Sequence, residues 1–289
     1  MTVSERAYAK INLSLDVVGR RSDGYHDLVS VMQSVSLCDE LIFTRTQGEG
    51  IVLKAQAPVP MDESNLICRA ARAYFRAADT CFGLTVELDK SIPMQAGMGG
   101  GSADAAATLR ALNRLDGERF SVERLCEIGA SIGADVPFCV RGGTCVCRGI
   151  GERLVPIENN LKCHVVVAMQ GEGVSTPQAF AALDARYGDF AAASDGAAQR
   201  LSSLVGVLER GALERTGEVL YNRFEEVIAP VRPAVGHIKA ELARHGAAVA
   251  QMSGSGPSVF GLFAKKEAAE QAVQALLEGG ARAFLCSLV

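Results

Sequence analysis

Four glycines fall within five residues of the stretch PMQAGMGGGSADAAATLRALNRLDG, Pro93 to Gly117, directly ahead of an Ala/Leu-rich segment with helical character. Glycine tolerates positive φ and lets a ligand come close to the backbone. Where such a loop opens a helix, unpaired amide N–H groups and the positive end of the helix dipole converge on one point that favours phosphate. Gly97, Gly99, Gly100 and Gly101 followed by Ser102 fit this arrangement. The Ser102 hydroxyl is able either to cap the helix or to touch a phosphate or its metal. Familiar alternatives fail on the letters. A Walker A loop needs a Lys after its last glycine, and a dinucleotide fingerprint needs a glycine where Ser102 stands. The H-R-D and D-F-G segments of protein kinases do not occur either. The loop is built to hold an anion.

The elements that must carry this loop are legible around it. RAYAKINLSLDVVGR alternates with period two, placing Ala9, Ile11, Leu13, Leu15 and Val17 on one face and Tyr8, Lys10, Asn12 and Ser14 on the other. This predicts a strand with a polar, addressable face. A second strand is expected over 28–37, with shorter ones over 41–46 and 51–55. Ser64 is placed to cap a helix with Leu66, Ile67, Ala70, Tyr74 and Phe75 at helical spacing. A strand with Leu84, Val86 and Leu88 inward leads into the glycine loop, and helices follow over roughly 102–115 and 121–132. Cys145 and Cys147 alternate along a further strand. From Cys163 onward, leaving aside a helical middle, the order is βαββαβ, the ferredoxin-like split βαβ arrangement. A boundary therefore falls in PIENNLK, between Pro156 and Lys162. The Ala/Ser patch FAAASDGAAQR is expected to be an exposed connection, and SGSGPS, Ser253 to Ser258, is either a second anion-facing turn or, preferably, the hairpin joining two strands.

Composition narrows the class. The chain has 289 residues, 48% hydrophobic, and a net charge of −4 from 29 basic and 33 acidic side chains. One or two domains follow from that length. Without a run of like charge there is no footprint for a nucleic-acid partner. The nine cysteines are scattered and odd in number, with no C-x-x-C pair, which predicts reduced thiols in a cytosol. MTVSERAYAK lacks the apolar core of a signal peptide, and no apolar run approaches the ~20 residues that span a bilayer. The expectation is a soluble, cytoplasmic protein with no membrane partner, a monomer or weak homodimer.

Taken together, AYAKINLSL, PMQAGMGGGSADAA and QMSGSGPSVFGLF, in this order and at these separations, resemble the GHMP kinases, the family of galactokinase, homoserine kinase and mevalonate kinase. The likeness covers nearly the whole chain. RRSDGYHDL, SNLICRAA, GADVPFCVRGG and GIGERL further resemble the branch that phosphorylates a hydroxyl of a small molecule carrying a cytidine diphosphate group, in the isoprenoid pathway that bypasses mevalonate. The resemblance implies an α+β, two-domain GHMP kinase fold. Residues 1–158 would form the ATP-binding and catalytic domain, ribosomal-protein-like with an unusual left-handed crossover, and residues 159–289 the ferredoxin-like domain. ATP and Mg²⁺ are the implied cofactors. The cradle would be Pro93, Met94, Gln95, Ala96, Gly97, Met98, Gly99, Gly100, Gly101, Ser102 and Ala103, with Ser102 the candidate metal ligand.

By the same resemblance, Asp135 accepts the proton of the substrate hydroxyl and Lys10 pairs with it, keeping it ionised; on residue type alone the two would be a surface salt bridge. Tyr25 is implied to stack on the cytosine and His26 to hydrogen-bond its polar edge, where the bland reading is a turn with rim packing. Phe180 would supply a second stacking face with Thr176 nearby, and Asn12 would contact the methylerythritol end. Position 32, often aromatic in relatives, is Met32 here, which implies a softer pocket floor. Asn65, Leu66 and Lys90 would flank the adenine, or else mark a helix start and a solvated lysine. Another GHMP small-molecule kinase, of homoserine or mevalonate type, is the alternative; a catalytically dead nucleotide sensor is disfavoured because Lys10 and Asp135 are both present.

Overall fold

Strand β1, Thr2–Arg20, follows the predicted alternation, and Ala9, Ile11, Leu13 and Val17 are fully buried. Its polar face is enclosed as well: Lys10, Asn12 and Ser14 are all buried, so these side chains meet protein groups more than open solvent. Strand β2, His26–Thr46, is one continuous strand of 21 residues where the sequence suggested two. Cys38, Asp39 and Glu40, at the expected break, include no glycine or proline to end a strand.

The computed structural model describes residues 1–188, 190 and 196–289; most of the Ala/Ser patch read as a connection lies outside the described residues. Contacts divide the chain into two interleaved units, one of residues 1–9, 37–94 and 99–142 and the other of 10–36, 95–98 and 143–289. This differs from the consecutive 1–158 and 159–289 division because β1 and β2 are long enough to give part of their length to each unit.

The first unit adds β3 (Ile51–Ala55), α1 (Leu66–Ala78), β4 (Gly83–Asp89), α2 (Gly100–Leu115), α3 (Val122–Ala130) and α4 (Val136–Arg141). β4 runs antiparallel to the later part of β2, from Glu40 opposite Asp89 to Thr46 opposite Gly83, and parallel to β3. Helix α1 is capped by Asn65, whose side chain accepts from the Ile67 amide at 2.9 Å, and not by Ser64. Ser64 is occupied instead with Asp62, through both its amide and its hydroxyl. Ile67, Ala70, Ala71 and Tyr74 bury one stripe of α1 against the alanine-rich α2, where Ala103, Ala105, Ala106 and Ala107 are buried. Small side chains at such a contact let helix axes come close.

The second unit contains β5 (Thr144–Gly149), β6 (Arg153–Pro156), β7 (His164–Met169), α5 (Thr176–Tyr187), α6 (Ala197–Arg210), α7 (Thr216–Val219), β8 (Tyr221–Asn222), α8 (Glu225–Ile228), α9 (Pro233–Arg244), β9 (Val249–Met252), β10 (Val259–Phe263), α10 (Lys266–Glu278) and β11 (Arg282–Ser287). β7, α9, β9, β10, α10 and β11 are the predicted βαββαβ, folded into an antiparallel sheet of order β11-β7-β10-β9. Val235, Ile238 and Leu242 of α9 and Ala269, Ala272 and Leu276 of α10 bury their apolar stripes in its core. Ser253–Ser258 is the hairpin between β9 and β10, closed by the Ser253 amide on the Ser258 carbonyl. Earlier in the chain, β5 pairs with β2 and β6, and β8 lies parallel to β1 at Ser14 and Leu15. The short β8, following α7, escapes prediction because two residues carry no periodicity.

Candidate active site

In the first unit the glycine run opens α2 as the letters suggest, but the cap is Gly99, in the left-handed region at φ +67°, and no side chain caps the helix. Ser102 is thus released from the capping role the sequence allowed it. The first intrahelical bond is Ala103 N–H to Gly99 C=O, so the amides of Gly100, Gly101 and Ser102 lack a helical acceptor and project from the N-terminus. Gly101 is exposed and Ser102 half-buried, leaving this turn open to an anion. A Cβ on Gly101 would sit 3.3 Å from Leu66, the residue that begins α1 next to its Asn65 cap. Leu66, one of the expected adenine neighbours, therefore borders the first turn of α2.

Asp135 is the N-cap residue of α4, half-buried, and its side chain makes no capping bond. Two residues earlier, a Cβ on Gly133 would lie 4.0 Å from the Ser102 hydroxyl, so the turn that presents Asp135 abuts the start of α2. A helix start with free amides and a turn bearing a carboxylate adjoin each other within one compact unit.

Lys90 is neither solvated nor open. Its ammonium bonds the Asp39 carboxylate and lies 3.2 Å from Asp104, and all three side chains are nearly or fully buried. The second oxygen of Asp39 accepts from the amides of Ser91 at 2.6 Å and Ile92 at 2.7 Å. Burial, reinforced by the neighbouring Asp39 carboxylate and opposed by the Lys90 ammonium, pushes Asp104 up to about 8. One of its oxygens is buried without a hydrogen-bond partner, which suits a protonated carboxyl better than a carboxylate. Sequence reasoning missed Asp39 and Asp104. For Asp39, an acidic pair inside the apolar run SLCDELIF was the available signal.

In the second unit, Gln95–Met98 leans on the β9–β10 hairpin. The Ser253 hydroxyl donates to the Gly97 carbonyl at 3.1 Å and accepts from the Asn12 amide at 3.2 Å. Lys10 donates its backbone amide to Met98 and its ammonium to Asn12 Oδ1 at 2.7 Å. Asn12 Nδ2 donates to Ser30, whose hydroxyl passes on to the Ser14 carbonyl. The two residues predicted from one strand face thus belong to one hydrogen-bonded chain. Met32 is buried on β2.

Tyr25 is exposed, a ring presented at the turn before β2. His26 is buried: its Nε2 lies 2.7 Å from Asp184 Oδ1, and its imidazole stacks on Phe180 with centroids 4.5 Å apart and planes 16° apart. Phe180 meets Phe224 edge-on. In this arrangement one face of Phe180 is covered by His26. Thr176, at the start of the same helix, shares a hydrogen bond with Ser255 of the hairpin. Tyr25, His26 and Phe180 are therefore neighbours by chain or by contact, and Asp184 is a partner that sequence reasoning did not identify.

Residues 65–143 match the model for the GHMP kinases N terminal domain and 204–282 that for the GHMP kinases C terminal. A 4-diphosphocytidyl-2-C-methyl-D-erythritol kinase of Exiguobacterium sibiricum is 40% identical over 285 residues, covering 98% of this chain and 95% of that protein. One from Clostridium novyi is 40% identical over 260 residues, 89% of this chain and 90% of that one. Among solved structures, a 4-(cytidine 5'-diphospho)-2C-methyl-D-erythritol kinase is similar at TM-score 0.80 and 32% identity, covering 99% of each chain. A homoserine kinase from Cytophaga hutchinsonii, at TM-score 0.78 and 21% identity, shares the fold. The chain belongs to the GHMP kinase family, in the branch of the 4-diphosphocytidyl-2-C-methyl-D-erythritol kinases.

Proposed function

We propose that this chain transfers the terminal phosphoryl group of ATP to the 2-hydroxyl of 4-diphosphocytidyl-2-C-methyl-D-erythritol. The observation that carries the reading is the open, glycine-capped start of α2 with the turn of Asp135 against it. Phosphoryl transfer passes through a loose transition state, so the protein chiefly positions groups and stabilises charge. In this reading the amides of Gly100, Gly101 and Ser102 and the α2 dipole hold the triphosphate. Asn65 and Leu66 border the adenine.

Asp135 takes the proton of the acceptor hydroxyl as the bond to phosphorus forms. Lys10 supplies positive charge that favours the ionised carboxylate and the developing transfer. Tyr25, His26 and Phe180 recognise the cytosine, Thr176 lines its approach, Met32 forms the pocket floor, and Asn12 faces the methylerythritol end. Among the described residues no cluster of three or more His, Cys, Asp or Glu is arranged to hold a metal. Mg²⁺ leans on substrate phosphates and water, and in this reading Ser102 is the side chain that would hold it. When bound, the ion neutralises charge on the phosphate oxygens. No helix among the described residues is long and apolar enough to cross a membrane; a cytoplasmic monomer or weak dimer is part of this reading, as is a family domain boundary near residue 158.

The test offers the cytidyl acceptor, homoserine and mevalonate separately with ATP and Mg²⁺ and follows ADP release. Turnover with the cytidyl acceptor is expected, and turnover confined to homoserine or mevalonate overturns the proposal.

A further inference from the structure

We infer that Asp39 and Lys90 are positioning residues that set the shape of the anion cradle from beneath. The inference rests on the reading that the start of α2 holds the triphosphate. Asp39 stands in the interior of β2, fully buried, and faces the segment where β4 ends and the glycine loop begins. Its Oδ1 accepts both the Ser91 and the Ile92 amide, and its Oδ2 accepts from the Lys90 ammonium. Three consecutive residues entering the loop are thereby fastened to a neighbouring strand by one carboxylate.

Lys90 carries the fastening across to the other arm of the loop. Its ammonium reaches Asp104 on α2 at 3.2 Å, one turn beyond the glycines. The contact is close enough to be limiting: a Cβ on Gly100 would lie 3.0 Å from Lys90 Nζ and 3.0 Å from Ile92 Cγ2. The entry strand and the first turn of the exit helix are therefore tied at a single point under Gly100, all within one compact unit. A buried ion pair holds its geometry only where its hydrogen bonds are met, and here Asp39 meets three. Anion cradles act through preorganised amides, and displacement by about 1 Å is enough to cost on the order of a hundredfold in rate.

The experiment measures ADP binding by calorimetry and steady-state KM values for D39N, K90M and D39A. D39N keeps an acceptor for the two amides and loses the charge that holds Lys90; D39A loses all three bonds. ADP affinity and KM for ATP are expected to worsen by about tenfold in D39N and K90M and further in D39A, with KM for the cytidyl acceptor within about twofold. A merely structural role would lower the melting temperature and leave the folded fraction with wild-type ADP affinity; that result in D39N and K90M overturns the inference. Hydrogen exchange on the wild-type protein gives a readout free of variants that fail to fold. The Ser91 and Ile92 amides are expected to be protected before nucleotide is added, and rapid exchange there overturns the inference as well. Wild-type protein that binds no ADP would instead overturn the cradle itself, and this proposal with it.

Discussion

The carbonyl oxygen of Ser253 stands so close to Gly97 that a Cβ built on Gly97 would lie 2.3 Å from it. Gly97 also has φ of +77°, where a side chain adds about 1–2 kcal/mol of backbone strain. G97A must therefore move either the loop or the hairpin. The expected result is a lower melting temperature together with weakened ADP binding, read by thermal denaturation and calorimetry. Wild-type values for both would show that the hairpin does not brace the loop.

Asp135 caps α4 without using its side chain for the helix, so an amide in its place has no capping bond to lose. D135N is expected to lower kcat by about 10²–10⁴, the range for loss of a general base, with KM for ATP nearly unchanged. Single-turnover phosphorylation at wild-type rate would remove Asp135 from the chemistry.

Asp104 makes stability depend on pH. Its folded value is raised from the ordinary 3.8 to about 8, so between these limits the native state binds more protons than the unfolded chain. This contribution is fully present below pH about 4, falls away as pH rises through the folded value near 8, and is flat beyond it. D104N has no proton to lose there. Denaturant titrations from pH 5 to 9 should show a shallower decline for D104N than for wild type; parallel curves would mean that Asp104 is ionised throughout.

Phe180 supports His26 through a stacked contact and the cytosine in the proposed pocket. F180A is expected to raise KM for the cytidyl acceptor by about tenfold, within the 1–3 kcal/mol attributed to a base–aromatic stack, and to leave KM for ATP in place. An unchanged KM for the acceptor would put the base elsewhere.

What could be seen in the letters was local. The glycine turn that opens α2 announces itself because glycine clustering and the start of a helix sit side by side in sequence, and the βαββαβ order of β7 to β11 follows from plain periodicity. The cap of α1 was misplaced by one residue because Ser64 and Asn65 are both good capping types; Asp62 claims the serine. The partners of Asp39 and Asp184 were not legible at all. Two of those of Asp39 lie 52 and 53 residues away and that of Asp184 lies 158 away, beyond the reach of any local pattern. Lys90 looked solvated for the same reason: its two counter-charges come from a distant strand and from the far side of the loop.

The chain changes unit at 9/10, 36/37, 94/95, 98/99 and 142/143. During synthesis, every residue of the first unit has emerged by Gly142, while the strut for Gly97 is still 156 positions downstream of it at Ser253. A nascent or prematurely stopped chain can therefore assemble α2 long before it can brace the turn leading into that helix.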